Sequence, residues 1–256
     1  MAEKPSEPRR AQAMKLAHFR RQQGRYENDL KCCTFHPYLP NYAVGAILAD
    51  TSLKNQFGRQ VIQRRVKEQT QILPLGIPAP REYQIDFLKN KSRFGKEESL
   101  LCPYFNSEQN QCGLWIYRGS VCTSFFCASD HAWGLKFWDE LVLYLSLVEI
   151  SLAELVLERL GMSSREVMQG FDLIDLGKIK PSRRSQESLA QVRKLQKSAF
   201  WSQNSSPEEF YLSCYQTVLK MTQKEFENEM GDILESQKKN VLSKFKGYRT
   251  KPAGDR

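Results

Sequence analysis

The chain has 256 residues, 41% of them apolar and 26% charged, and 38 Lys/Arg against 29 Asp/Glu give a formal net charge of +9. This length and apolar share support a folded core and exclude a disordered polyelectrolyte or a small disulfide-stapled scaffold. The positive surplus is terminal: residues 1–31 carry eight basic against four acidic side chains, and residues 236–256 carry seven against one.

Residues 1–31 read as a basic arm without an apolar leader segment, so a reducing, cytoplasmic setting is expected. Residues 32–48 begin irregular around Pro37 and Pro40 and then turn apolar. The run NYAVGAILADTSLKNQFGRQVIQRRVKEQ predicts helical stretches with weak breaks at Gly45 and Gly58. ILPLGIPAPREY, residues 72–83, holds three prolines and a glycine and predicts a loop. Residues 101–127 read as short and irregular, with a small hairpin around Leu114–Tyr117. Ser129 or Asp130 is placed to cap a long helix that runs to about Leu160 and stops at Gly161. Its apolar stretch, residues 141–160, carries Glu149, Glu154, Glu158 and Arg159 and therefore fails as a membrane span. Asp139, Glu140, Glu154 and Glu158 fall on one side at helical spacing. Ser163, Ser164 and Glu166 start a short helix, and residues 172–183 form a connector with Pro181 near its end. Residues 185–200 and 207–245 read as helical, the latter with Pro207 at the first position and Glu208 and Glu209 in the first turn. The fold class is mainly α: a helical body with an irregular cysteine-rich metal-binding segment. A single domain over 32–235, with cysteine segments 32–48 and 101–127 and a helical half at 130–235, lies between the basic arm and a basic tail, 236–256.

Seven cysteines are present, an odd number that argues against a closed set of disulfides. Cys214, in FYLSCYQTVL, sits on an apolar helical face and reads as a small buried hydrophobe. The other six, Cys32, Cys33, Cys102, Cys112, Cys122 and Cys127, fall in two windows of turn-like sequence. Loops let thiolates converge on one point, and thiolate-rich sets suit zinc, copper(I) or iron–sulfur centres. No C-x2-C pair occurs, so the zinc-ribbon and ferredoxin templates do not apply. His36, three residues after Cys33, is a candidate additional ligand, as are His131 and Asp29. His18 falls in the basic arm.

The ordered parts CC at 32–33, LLCPYF around Cys102, CGLWIYRGSVC at 112–122 and TSFFC ending at Cys127 resemble the YkgJ-type cysteine-cluster family. That family is described as a zinc- or iron-chelating domain and is distantly similar to flagellin lysine N-methylase. The resemblance covers residues 32–127, with Arg118 on the family arginine. Two cysteines of the family pattern fall at Tyr26 and Asp29, and its proline falls at Gly119. The resemblance implies a metal-binding protein with the six clustered cysteines as ligands. An iron–sulfur cluster is favoured over zinc, with cover from Phe105, Trp115, Tyr117, Phe125 and Phe126 and with the positive end of the helix beginning near Asp130 close to Cys127.

The sequence contains no G-x-S-x-G elbow, P-loop, H-E-x-x-H or G-x-G-x-x-G. A nucleophilic role for Cys33 with His36 as base is the one enzymatic pairing the local sequence offers. The expectation is a metal-binding protein with a structural, redox or sensing role. The alternative is an enzyme that modifies a protein side chain, related to the lysine N-methylases. A third reading is an adaptor for nucleic acid or an acidic partner through the basic ends.

Overall fold

The computed structural model describes residues 30–90, 93, 95–124, 132–163, 167 and 206–249. The fold is mainly α. Helices α1 (Asn41–Ala49), α2 (Gln56–Lys67), α3 (Arg81–Lys89), α4 (Ser120–Thr123), α5 (Ala132–Arg159), α6 (Pro207–Leu219) and α7 (Gln223–Arg249) are joined by 3-10 turns and two two-stranded pairings. Strand β1 (Leu39–Pro40) pairs antiparallel with β2 (Gly76–Ile77), and β3 (Phe105–Asn106) with β4 (Gln111–Cys112). Two compact units result: one holds 22–118 and 153–220, the other 119–152 and 221–256. Helix α5 contributes residues to both. No helix among the described residues is long and apolar enough to cross a membrane.

The core of the first unit forms where α1 lies on α6 and α2. Helix α1 is apolar nearly all round and buries Val44, Ile47 and Leu48. Each such side chain contributes about 2 kcal/mol on leaving water. Gly45 is the condition for this packing, not a break in the helix. A Cβ there would lie 1.9 Å from the Tyr211 carbonyl oxygen and 2.8 Å from Tyr215 Cβ. On the facing helix, Tyr211 and Cys214 are both fully buried. Helix α6 starts where its sequence implies: Ser206 caps it, Glu209 completes the reciprocal capping box, and Pro207 occupies the first turn.

Of residues 72–83, expected as a loop, 72–80 form one around the short strand β2, and a buried one, whereas Arg81–Tyr83 are the first turn of α3. Ile72, Leu73, Leu75 and Ile77 have essentially no exposure. A buried loop is tolerable only when its carbonyls find donors. Here Tyr211 Oη donates to the Leu73 carbonyl at 2.7 Å, Asn41 N–H to Leu75 at 2.9 Å, Arg65 to Pro78 at 2.9 Å and Gln84 to Ala79 at 2.6 Å.

Helix α5 ends at Arg159 in a Schellman arrangement. Gly161 takes φ 85° and donates to the Glu158 carbonyl, and Met162 N–H donates to Leu157. The charged stripe foreseen on this helix is not uniformly exposed, since Glu154 is buried. The single helix expected over 207–245 is two helices. Thr222 and Glu225 form a second cap, with Thr222 Oγ1 donating to Glu225 Oε2 at 2.7 Å and accepting from Glu225 N–H at 3.2 Å. Helix α7 carries a further kink at Gly231 (φ 54°). The basic tail expected from 236 continues that helix to Arg249. In the second unit α7 meets α5 through Gln237, which donates to Glu140 Oε2 at 2.5 Å, and through the Phe137 and Phe245 rings, 5.3 Å apart. Expectations for 1–29, 125–131, 164–166 and 168–205 lie outside the described residues.

Replacing Gly45 by Ala forces α1 off α6. We expect G45A to lose about 3 kcal/mol of stability by urea unfolding. An unchanged midpoint would show that the two helices do not approach as closely as described.

Candidate metal centre

Cys32 and Cys33 are consecutive residues of a 3-10 turn, Lys31–Thr34. Residues that follow Cys33 fix its position. Tyr83, on α3, donates through its hydroxyl to the Thr34 carbonyl at 2.6 Å and accepts the His36 N–H at 2.9 Å. Thr34 Oγ1 accepts Gly95 N–H at 2.6 Å. Phe35 sets its ring edge-on to Phe87, with centroids 5.5 Å apart. A short turn with no helix of its own is thus held by side-chain hydrogen bonds and rings from α3.

Cys102 is joined to this turn directly. Its N–H donates to the Cys33 carbonyl at 2.6 Å, and its own carbonyl accepts Phe105 N–H at 2.9 Å. This last bond closes a turn over 102–105 in which Cys102 and Tyr104 are buried and Pro103 is exposed. The hairpin β3–β4 then sets Cys112 opposite Phe105. This hairpin lies earlier than the one expected at Leu114–Tyr117, which is a 3-10 turn over Trp115–Tyr117. Its signal is Asn106, whose Oδ1 accepts Glu108 N–H at 3.0 Å and Gln109 N–H at 3.2 Å, with Asn110 at φ 48°.

Cys112 is seated by a contact between two glycines. A Cβ on Gly58 would lie 2.3 Å from the Gly113 carbonyl oxygen, and one on Gly113 would lie 2.6 Å from Phe57 Cδ1. Gly58 therefore lets the cysteine-bearing loop rest on α2 and does not interrupt that helix. Gly113 N–H donates to the Tyr104 carbonyl at 2.8 Å. Cys102 belongs to the core cluster, with Phe105, Cys112 and Tyr117 packed against it.

Arg65 reaches the same region from α2. It lies on the apolar face of that helix with Val61, Ile62 and Val66. Its Nη1 donates to Tyr104 Oη at 3.2 Å, and its Nη2 to the carbonyls of Pro78 at 2.9 Å and Thr70 at 3.3 Å. His36 completes the group, with Nε2 3.5 Å from Arg65 Nη1 and Nδ1 3.2 Å from the Pro37 carbonyl. Burial, assisted by the Arg65 charge, depresses the His36 pKa to about 3. The ring is neutral near pH 7. Its Nδ1–H faces the Pro37 carbonyl and its Nε2 lone pair faces the guanidinium, so His36 serves the Arg65 network and not ligation. Burial also raises the Tyr104 phenol pKa, opposed by Arg65.

Cys122, on α4, belongs to the second unit. Glu149 holds the start of this helix: Ser120 N–H donates to its Oε1 at 2.5 Å and Ser120 Oγ to its Oε2 at 2.6 Å. Although Glu149 as a residue is only partly buried, its carboxyl end is withdrawn from water, and this desolvation raises its pKa against the Ser120 hydrogen bonds. Cys214 is fully buried on α6, where desolvation pushes its thiol pKa far up. Cys33, Cys112 and Cys122 are partly covered.

Of the predicted ligands, the backbone brings the segments of Cys33, Cys102 and Cys112 together within one unit. Among the described residues, no three His, Cys, Asp or Glu side chains are grouped to hold a metal ion. The side chain of Cys32, and Cys127, His131 and Asp29 altogether, lie outside those residues. The expected aromatic cover divides. Phe105 and Tyr117 pack on the core, while Trp115 is 63% exposed with Arg118 stacked 3.5 Å above its ring. Tyr117 turns instead to Asp50, donating to its Oδ2 at 2.8 Å; burial and Asp50 push its pKa up to about 12. Sequence reasoning passed over Arg65, Tyr104 and Glu149. Arg65 alone left a signal, a cation in register with the apolar face of α2. No protein-family model, curated protein or solved structure matches the chain.

Two predictions follow from these groups. The unfolded chain takes up a proton on His36 near pH 6.5, which the folded ring refuses until about pH 3. Its contribution to stability is complete above the unfolded pKa and is lost as the pH falls through that interval. Between about pH 7.5 and about pH 5, H36Q is therefore expected to lose stability less steeply than the wild type; parallel slopes would contradict the buried neutral ring. Removing the Glu149 cap in E149A is expected to speed amide exchange over Ser120–Ser124 about fivefold. Unchanged protection there would show that the carboxylate does not hold the turn.

Proposed function

We propose that this chain is a metal-binding protein whose thiolate centre is held by Cys32, Cys33, Cys102 and Cys112. The observation that carries the reading is the hydrogen bond from Cys102 N–H to the Cys33 carbonyl at 2.6 Å, which joins two cysteine segments far apart in sequence. The hairpin register adds Cys112, and Cys32 comes from the same turn as Cys33. These four belong to one unit and make up the thiolate count of one tetrahedral zinc or one iron–sulfur cluster. Cys122 and Cys127, which the resemblance also marks, are surplus to that count.

The donor chemistry fits soft-metal ligation, and the buried neighbours Tyr104 and Leu114 exclude water from one side. Cys33, Cys102 and Cys112 are not grouped as ligands in the structure described, so this reading requires their side chains to turn together when the ion binds. An iron–sulfur cluster is preferred to zinc because the centre backs onto an apolar core. Bound, such a cluster supplies one-electron chemistry, whereas zinc supplies a structural staple.

The test is metal content per chain after purification without air. C102S and C112S are expected to retain less than about a tenth of the wild-type iron or zinc, while C214S retains all of it. Full metal content in C102S, or folded wild-type protein without metal, would overturn the proposal.

A further inference from the structure

The four most exposed large hydrophobic side chains among the described residues are Leu53, Ile116, Trp115 and Leu219, at 86%, 70%, 63% and 58%. Scattered singly, such residues need no explanation. These four belong to one unit and gather near the C-terminal end of α1. Leu53 opens the 3-10 turn Leu53–Asn55 just beyond that helix, and Trp115 and Ile116 lie on the 3-10 turn Trp115–Tyr117. A single carboxylate fastens the two turns. Asp50 Oδ1 accepts Ser52 N–H at 2.8 Å, and Asp50 Oδ2 accepts the Tyr117 hydroxyl at 2.8 Å. The Tyr117 phenol also lies within electrostatic reach of Tyr215 on α6. Leu219 follows Tyr215 by about one turn of that helix.

Each apolar tip is accompanied by a cation. Lys54 follows Leu53 and Lys220 follows Leu219, both exposed. Arg118 stacks 3.5 Å above the Trp115 ring, and its Nε donates to the Trp115 carbonyl at 3.1 Å, which holds indole and charge together. Over residues 50–55, 115–118 and 215–220 the only carboxylate is Asp50, whose two oxygens are taken by the bonds above. Apolar tips flanked by cations match a surface that is anionic outside and apolar beneath. An anionic bilayer takes up aliphatic tips, seats tryptophan at headgroup level and attracts the flanking cations. Nucleic acid would use the cations, but Leu53, Ile116 and Leu219 offer no ring for a base to stack on.

We propose that the turns at Leu53 and Trp115–Ile116, with Leu219 beside them, are a docking surface for an anionic lipid bilayer. The chain would lie on the membrane by these turns, with no helix crossing it. The inference is independent of the metal-binding reading.

The experiment floats the full chain with vesicles of phosphatidylcholine alone and with about a quarter phosphatidylserine. Wild type is expected to float with the anionic vesicles. L53S and I116S are each expected to weaken that partition at least about fivefold, and K54Q/K220Q by a similar factor. Lipids brominated in the acyl chain are expected to quench part of the tryptophan fluorescence of wild type but not that part in W115F. Melting temperatures close to wild type are expected throughout, because the substituted side chains are exposed; should I116S fail to fold, L53S carries the same comparison. Undiminished vesicle binding by L53S and I116S would overturn the proposal and assign the attraction to the basic segments 1–31 and 236–256. Equal binding to vesicles without phosphatidylserine would overturn it, as would retention by RNA with no partition into vesicles.

Discussion

The first unit is arranged around a cation that has left water. Arg65 binds the Pro78 carbonyl of the buried loop, the Thr70 carbonyl at the end of α2, the Tyr104 hydroxyl of the cysteine segment and the His36 ring. These groups come from four separate stretches of chain. The guanidinium gives all four a common hydrogen-bonding or ring partner. Rigid, planar and multiply donating, an arginine can hold such a set together; a lysine offers one point of charge on a flexible stem.

Around that centre close backbone contacts position the segments that carry the cysteines. Helix α1 sits against α6 at Gly45, and the Cys112 loop sits against α2 at Gly58 and Gly113. The turn bearing Cys32 and Cys33 is tied to α3 by Tyr83 and to Cys102 by a backbone hydrogen bond. Cys33, Cys102 and Cys112 lie in turns and a short hairpin, whereas Cys122 and Cys214 lie on helices α4 and α6. Side chains on one helix diverge around its axis, whereas turns and a two-residue hairpin can bring thiols from distant positions to one side of a core.

Much of this was legible in the sequence, and the unread part has physical causes. The helix start at Pro207 and the helix stop at Gly161 announce themselves through short-range chemistry, and Cys214 reveals its burial through helical periodicity. The prolines of residues 72–83 predict a loop, which holds for most of 72–80, but Gly76–Ile77 pair as a strand and Arg81–Tyr83 open a helix for which Pro80 supplies the cap position. The prolines say nothing about burial, because the donors that make it tolerable come from Asn41, Arg65, Gln84 and Tyr211. Gly45 and Gly58 read as helix breaks when propensity alone is considered; their role is visible only with the neighbouring backbone in place. The hairpin was misplaced because Trp115–Tyr117 has strand-like composition, whereas the turn chemistry lies at Asn106–Asn110. His36 is next to a cysteine in sequence but turned toward Arg65 in space, a relation that spacing cannot reveal.

The account stands on the claim that thiolates of one unit bind a single metal centre. Its most direct test is X-ray absorption at the metal edge of full-length protein purified without air. The account predicts a first shell made wholly of sulfur, at about 2.3 Å if the metal is zinc, or sulfur with a neighbouring iron if it is a cluster. A first shell of nitrogen and oxygen, or folded protein with no stoichiometric metal to measure, would contradict it.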